Sequence, residues 1–101
     1  MLKRLVLGVL KPYEPDIAVF SEKLSEIEGL EGINVSLLEI DREVENVKVT
    51  MQGNLDYDKI KSKMKDLGAS IHSVDEASSG DIVVKEAETV HERRKRNGLK
   101  G

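Results

Sequence analysis

Apolar residues fall at every second position from Leu5 to Val9, then at three- and four-residue spacing from Ile17 to Ile27. The first period is that of a strand and the second that of a helix. The same pattern returns 40 residues later: Leu7, Val9, Ile17, Phe20, Leu24 and Ile27 are matched by Val47, Val49, Tyr57, Ile60, Met64 and Leu67. A further β-branched run follows each copy, Ile33 and Val35 in one, Ile71 and Val74 in the other. Two copies of strand–helix–strand predict an α+β fold of the ferredoxin-like β-α-β-β-α-β plan, an antiparallel sheet of order 4-1-3-2 with two helices on one face.

Local signals place the boundaries. Residues 2–11 read as the first strand, apolar on both faces: Leu5, Leu7 and Val9 on one, Val6 and Leu10 on the other. Pro15 and Asp16 suit a helix start, with Glu14 and Asp16 as capping groups, and Gly29 suits its end. Residues 33–44 read as a long second strand with a charged tip, and Glu45-Asn46 as the turn into a third strand. There Val47, Val49 and Met51 alternate with Lys48, Thr50 and Gln52. Asp56 is the expected cap of the second helix, with Leu55 and Ile60 as a hydrophobic staple and Gly68 as the stop. Residues 69–75 form the fourth strand, Ser78-Ser79-Gly80 a break, and residues 81–84 a short fifth strand. The expected division is a ferredoxin-like domain over residues 1–80 and, over 81–101, that strand plus a polar, basic tail, partly disordered or helical.

Composition narrows the function. A charged content of 35% against a hydrophobic content of 39% leaves a lean core and a well-solvated surface. There is no cysteine, which removes disulfides, thiolate catalysis and thiolate metal sites, including the Cys-x-x-Cys loop of a soft-metal chaperone. The three aromatics, Tyr13, Phe20 and Tyr57, lie on none of the four main strands, so a base-stacking RNA-recognition surface is missing. A net charge of −3 argues against general nucleic-acid affinity, the basic run His91 to Arg96 in the tail being read as a solvated terminus. An acyl-phosphate hydrolase of this plan needs a basic phosphate cradle after strand one, where Pro12-Tyr13-Glu14-Pro15 stands instead. No segment approaches the ~20 apolar residues that span a bilayer, so a soluble cytoplasmic protein is expected.

In the 4-1-3-2 order, strands two and four are edges, whose unpaired backbone groups must be blunted or paired. Strand two carries Val35, Leu37, Leu38 and Ile40, too apolar for an isolated edge. With the two-faced first strand, this predicts a homo-oligomer, a ring or stacked dimers. The strongest polar constellation is Glu39, Asp41 and Glu43 on strand two with His72, Asp75 and Glu76 near the end of strand four. Strands two and four are expected to run parallel, which puts both clusters at one end of the sheet. Three strand spacings, about 14 Å, still separate them within one protomer, so a shared metal requires contact between protomers. Oxygen-rich clusters suit Ca²⁺ or Mg²⁺, and His72 extends the choice to a transition metal.

Three stretches resemble a known family: Leu10-Lys11-Pro12-Tyr13-Glu14-Pro15, the run from Asn34 to Asp41, and Ile71-His72-Ser73-Val74-Asp75-Glu76. They are similar to the small archaeal proteins grouped as domain-of-unknown-function family 211, over roughly residues 1–80. The resemblance implies a ferredoxin-like fold, an oligomeric habit and a cytoplasmic archaeal protein, with no assigned reaction and no catalytic residues. The expected function is a homo-oligomeric binding or regulatory protein, holding divalent metal at subunit contacts through the six residues above. The alternative is a regulatory domain sensing a small metabolite at a dimeric interface. An enzyme using His72 with Asp75 is the third reading.

Overall fold

A computed structural model describes residues 1–87. Six elements follow in order: β1 (Leu2–Pro12), α1 (Ile17–Leu24), β2 (Leu30–Ile40), β3 (Val44–Leu55), α2 (Tyr57–Asp66) and β4 (Ser70–Ser79). The strands form one sheet of order β2-β3-β1-β4, with every neighbouring pair antiparallel. This is the expected α+β, ferredoxin-like arrangement.

The 40-residue repeat becomes a pseudo-twofold relation in the centre of the sheet. Leu7 and Val9 of β1 face their own counterparts crosswise, Leu7 against Val49 and Val9 against Val47. The helical members of the repeat close over them: Phe20, Leu24, Ile60 and Met64 are buried against Leu5, Leu7, Val9, Val47, Val49 and Met51. Burying side chains of this size contributes about 1.5–3 kcal/mol each, which makes this layer the main source of stability.

Asp16 and Asp56 cap the helices as expected. The Asp16 carboxylate accepts from the Val19 N–H at 3.0 Å, and Asp56 accepts from Asp58 and Lys59. Leu55 and Ile60 are both buried on either side of the second cap. Helix α1 is shorter than the apolar spacing predicts. It ends at Leu24, and Ile27 reaches the core from a following turn in which the Ile27 N–H donates to Leu24. Gly29 completes that turn at φ 89°, and its carbonyl accepts from Asn54.

Several expectations need correction. β2 covers Leu30–Ile40, and the hairpin turn lies at Asp41–Glu43, closed by the Asp41 N–H on the Val44 carbonyl at 2.9 Å. Glu45 and Asn46, expected as the turn, are strand residues of β3 opposite Lys11 and Leu10. β4 extends to Ser79, and residues 81–87 form a bend and an irregular segment rather than a fifth strand. The tail helix and the basic run from His91 to Arg96 lie outside the described residues. Strands two and four are antiparallel, not parallel. Each β-α-β crossover returns its second strand parallel to its first; because β1 and β3 oppose one another, β2 and β4 must oppose one another too.

Lys11 is the least expected member of the interior. Position 11 continues the core-facing series Leu5, Leu7, Val9, and the side chain is 0% exposed. Its ammonium donates to the carbonyls of Pro12 at 2.6 Å, Tyr13 at 3.3 Å and Pro15 at 2.5 Å. It also lies 2.7 Å from Glu45 Oε1 as an ion pair and 5.7 Å from the Phe20 ring centre. One cation thereby fixes the connection from β1 into α1. Lys11→Met removes it while nearly keeping the volume, and leaves three carbonyls and the Glu45 carboxylate without their partner. We expect a loss of about 3–5 kcal/mol in urea denaturation, the cost of breaking a buried ion pair from one side. Glu45→Gln should cost less, because the three carbonyls keep their donor. An unchanged midpoint for Lys11→Met rules out this role.

Candidate functional site

The sheet face away from the helices carries the polar side chains. Residues of even number on β1 and β3, namely Arg4, Val6, Gly8, Leu10, Asn46, Lys48, Thr50 and Gln52, alternate with the core series and so share that face. Its apolar part is small, and Val6 is already buried within the protomer at 6% exposed. Exposed apolar positions cluster on edge strand β2, where Leu37, Leu38 and Ile40 are 43%, 59% and 61% exposed, while the other edge, β4, exposes Val74.

Reversing β4 relative to expectation redistributes the six candidate ligands. Glu39 sits opposite Asn46, which sits opposite Leu10, which sits opposite Ser70. The start of β4, with His72, therefore lies at the hairpin end, while Asp75 and Glu76 lie further along the sheet. The structure groups Glu39, Asp41, Glu43 and His72 at one end and separates Asp75 and Glu76 from them. Among the described residues, no three His, Cys, Asp or Glu side chains come together as a metal-holding group.

His72 makes a specific contact. Its Nε2 lies 3.1 Å from Asn46 Oδ1, although β1 runs between their two strands. Gly8 is what lets the imidazole cross: a Cβ built there would lie 2.9 Å from both His72 Cε1 and Nε2, and would collide with Ser73 Oγ. The side chains of β2 and β4 thus approach one another through Asn46, with Glu39 at the far side of the same row. Asp75 is not a partner of His72, so the acid–base pair of the enzyme reading is not formed.

The β1–β4 register skips two residues of β4, His72 between the partners of Gly8 and Val9, and Asp75 between the partners of Val6 and Leu7. These are bulges, which re-aim side chains and interrupt an edge. Glu76, back in register opposite Val6, accepts from Arg4 Nε at 2.9 Å. At the hairpin tip, the Tyr13 hydroxyl donates to the Asp41 carbonyl and the Asp41 carboxylate accepts from the Arg42 N–H at 2.7 Å. The tip is thereby tied to the loop that Lys11 holds.

Sequence reasoning missed Lys11, Glu45, Asn46, Arg4 and Gln52. Parity along β1 signals Lys11 and Arg4, one on each face. The ion pairs that give them meaning join residues distant in the chain. No helix among the described residues is long and apolar enough to cross a membrane.

Comparison with known proteins agrees with this geometry. The family model of domain-of-unknown-function family 211, described as an uncharacterized ArCR family, matches residues 3–93, past the boundary expected at residue 80. The uncharacterized protein MJ0319 of Methanocaldococcus jannaschii is 43% identical over 93 residues, covering 91% of this chain and 96% of that protein. The repeat, the sheet order and these matches agree: the chain belongs to domain-of-unknown-function family 211, as a relative of an uncharacterized archaeal protein.

Proposed function

We propose that the protein is a non-enzymatic binding module that works as a homo-oligomer, assembled through the free edge of β2, with a divalent cation bridging acidic side chains of adjacent copies. The observation that carries this reading is the β2 edge. It pairs with β3 in unbroken register from Gly32 to Leu37, leaving its other side unpaired, and Leu37, Leu38 and Ile40 stand exposed along it. An edge of this length and apolarity templates pairing with a further strand.

Strand direction supports a head-to-tail contact. A copy in the same orientation presents its β4 antiparallel to β2, the pairing this sheet uses throughout. Such contacts close into rings when the rotation allows. They would bring Glu39, Asp41 and Glu43 of one copy beside a β4 whose bulges offer His72 and Asp75, with Glu76 next in line. A cation there compensates the carboxylates that would otherwise repel, and oxygen donors favour Ca²⁺ or Mg²⁺.

Two measurements test the two parts separately. Light scattering or native mass spectrometry at micromolar protein should give an oligomer, and Leu38→Lys with Ile40→Lys should convert it to a folded monomer. A wild-type monomer would rule out the edge assembly. For the cation, EDTA treatment should weaken the assembly, and Ca²⁺ or Mg²⁺ should restore it. At a hundredfold excess over its dissociation constant, the cation should raise stability by about 2.7 kcal/mol, an effect that Glu39→Gln with Asp41→Asn removes. Assembly indifferent to chelation, with no metal by elemental analysis, leaves the edge contact and eliminates the cation.

A further inference from the structure

The end of the sheet opposite the hairpin holds a cavity of about 450 Å³ lined by Arg4, Gln52, Glu76, Val83 and Lys85. We infer that this cavity binds a small organic anion, a carboxylate or phosphate that also carries a hydroxyl or amino donor. Its floor is the polar sheet face, and its wall is the segment after β4. That segment is held back against the sheet by two contacts. Gly80, at φ 117°, turns the chain and donates to the Met1 carbonyl at 2.9 Å, and the Val84 N–H donates to Ser78 Oγ at 3.1 Å. Ser78 is itself buried, so the anchor is internal rather than a surface contact.

The charges around the cavity select the ligand. Arg4 and Lys85 supply two positive charges and Glu76 one negative, an excess of one cation in a chain whose net charge is −3. Arg4 spends only its Nε on Glu76. Both terminal amino groups of the guanidinium keep their protons free of hydrogen bonds to the described residues. A planar guanidinium steadied from behind by a carboxylate presents the fork that matches a carboxylate or phosphate. Lys85 has no ion pair among the described residues and lines the same cavity from the segment after β4. Glu76 would repel a bare oxyanion but accept from a hydroxyl or amino group beside it, and the Gln52 amide can donate to the oxyanion or accept from that group. The volume is within the range of small-molecule sites, and Val83 adds an apolar patch. This site lies in one protomer and does not depend on the β2 edge.

Isothermal titration and ¹H–¹⁵N chemical-shift mapping of the full chain at low ionic strength test it, with citrate, glycerol 3-phosphate and inorganic phosphate as probes. Saturable one-to-one binding of citrate or glycerol 3-phosphate is expected, with shifts at Arg4, Gln52, Glu76 and Lys85, and weaker binding of inorganic phosphate. Citrate and glycerol 3-phosphate separate carboxylate from phosphate preference. Lys85→Gln, which breaks no hydrogen bond or ion pair among the described residues, should weaken binding about tenfold, the value of one charge-assisted hydrogen bond. Arg4→Lys, which keeps the charge but loses the fork, should weaken it comparably, while Lys61→Gln on the outer side of α2 should leave it unchanged. No saturation by any probe overturns the site. So does an equal loss in Lys61→Gln, or a shift map confined to the basic run His91–Arg96.

Discussion

A buried ammonium must be surrounded by acceptors, and in this protein that requirement shapes one whole end of the sheet. Lys11 cannot reach water, so three carbonyls of the Pro12–Pro15 connection turn inward to it and Glu45 approaches from β3. The loop is thereby wrapped around a point, and it delivers Asp16 to the start of α1 and Tyr13 to the hairpin tip. An apolar side chain at position 11 would pack there equally well but would leave the loop no reason to curl. Desolvating the charge costs several kcal/mol, which good acceptor geometry repays. What the ion contributes beyond stability is a single conformation for a connection that Pro12 and Pro15 alone would leave unspecified.

Both edge strands of the sheet carry register shifts, and they differ in what their side chains do. β4 is broken by bulges at His72 and Asp75, and its polar residues make contacts inward, His72 to Asn46 and Glu76 to Arg4. Bulges of this kind discourage a full backbone ladder, so a neighbouring β2 would meet β4 chiefly through side chains. β2 has register shifts of its own, between Leu30 and Gly32 and between Leu37 and Glu39, with a regular stretch between them, and its exposed apolar residues lie towards the tip, where apolar character and acidic residues overlap. An edge that is sticky and negatively charged at once meets Asp75 and Glu76 of a neighbouring β4 poorly unless something neutralises the carboxylates. That tension is why the assembly and cation readings belong together, although each can fail without the other.

Much of the fold was legible because it is periodic. Leu7 and Val9 with their counterparts at 47 and 49 declare two strands, and Phe20 and Leu24 with Ile60 and Met64 declare two helices. The capping aspartates were readable for the same local reason. Errors arose where a polar residue serves a distant partner. Glu45 and Asn46 look like a turn by composition, yet one answers Lys11 and the other answers His72. Lys11 reads as the end of an apolar run, although its parity places it in the core. The opposed directions of β2 and β4 follow from the crossover rule alone, and through them the distribution of the candidate ligands. The anion cavity was not legible, because it needs the Arg4–Glu76 pair and a return of the chain at Gly80 that no local pattern announces.

β1 carries the organising residue of each end, and the geometry of a strand keeps them apart. Lys11 and Arg4 differ in parity, so one points into the helix-covered core and the other onto the open face. Seven residues of extended chain separate them by about 23 Å at the usual rise per residue. At that separation the direct Coulomb energy between the two charges is small, below about 1 kcal/mol at an effective dielectric constant of about 20. Ligand binding at one end can reach the hairpin only through packing along β1 and its neighbours, whose centre is the most tightly buried part of the molecule. A close-packed core has low compressibility and passes strain on. Any coupling between the two ends therefore runs through this packed centre and not through their charges.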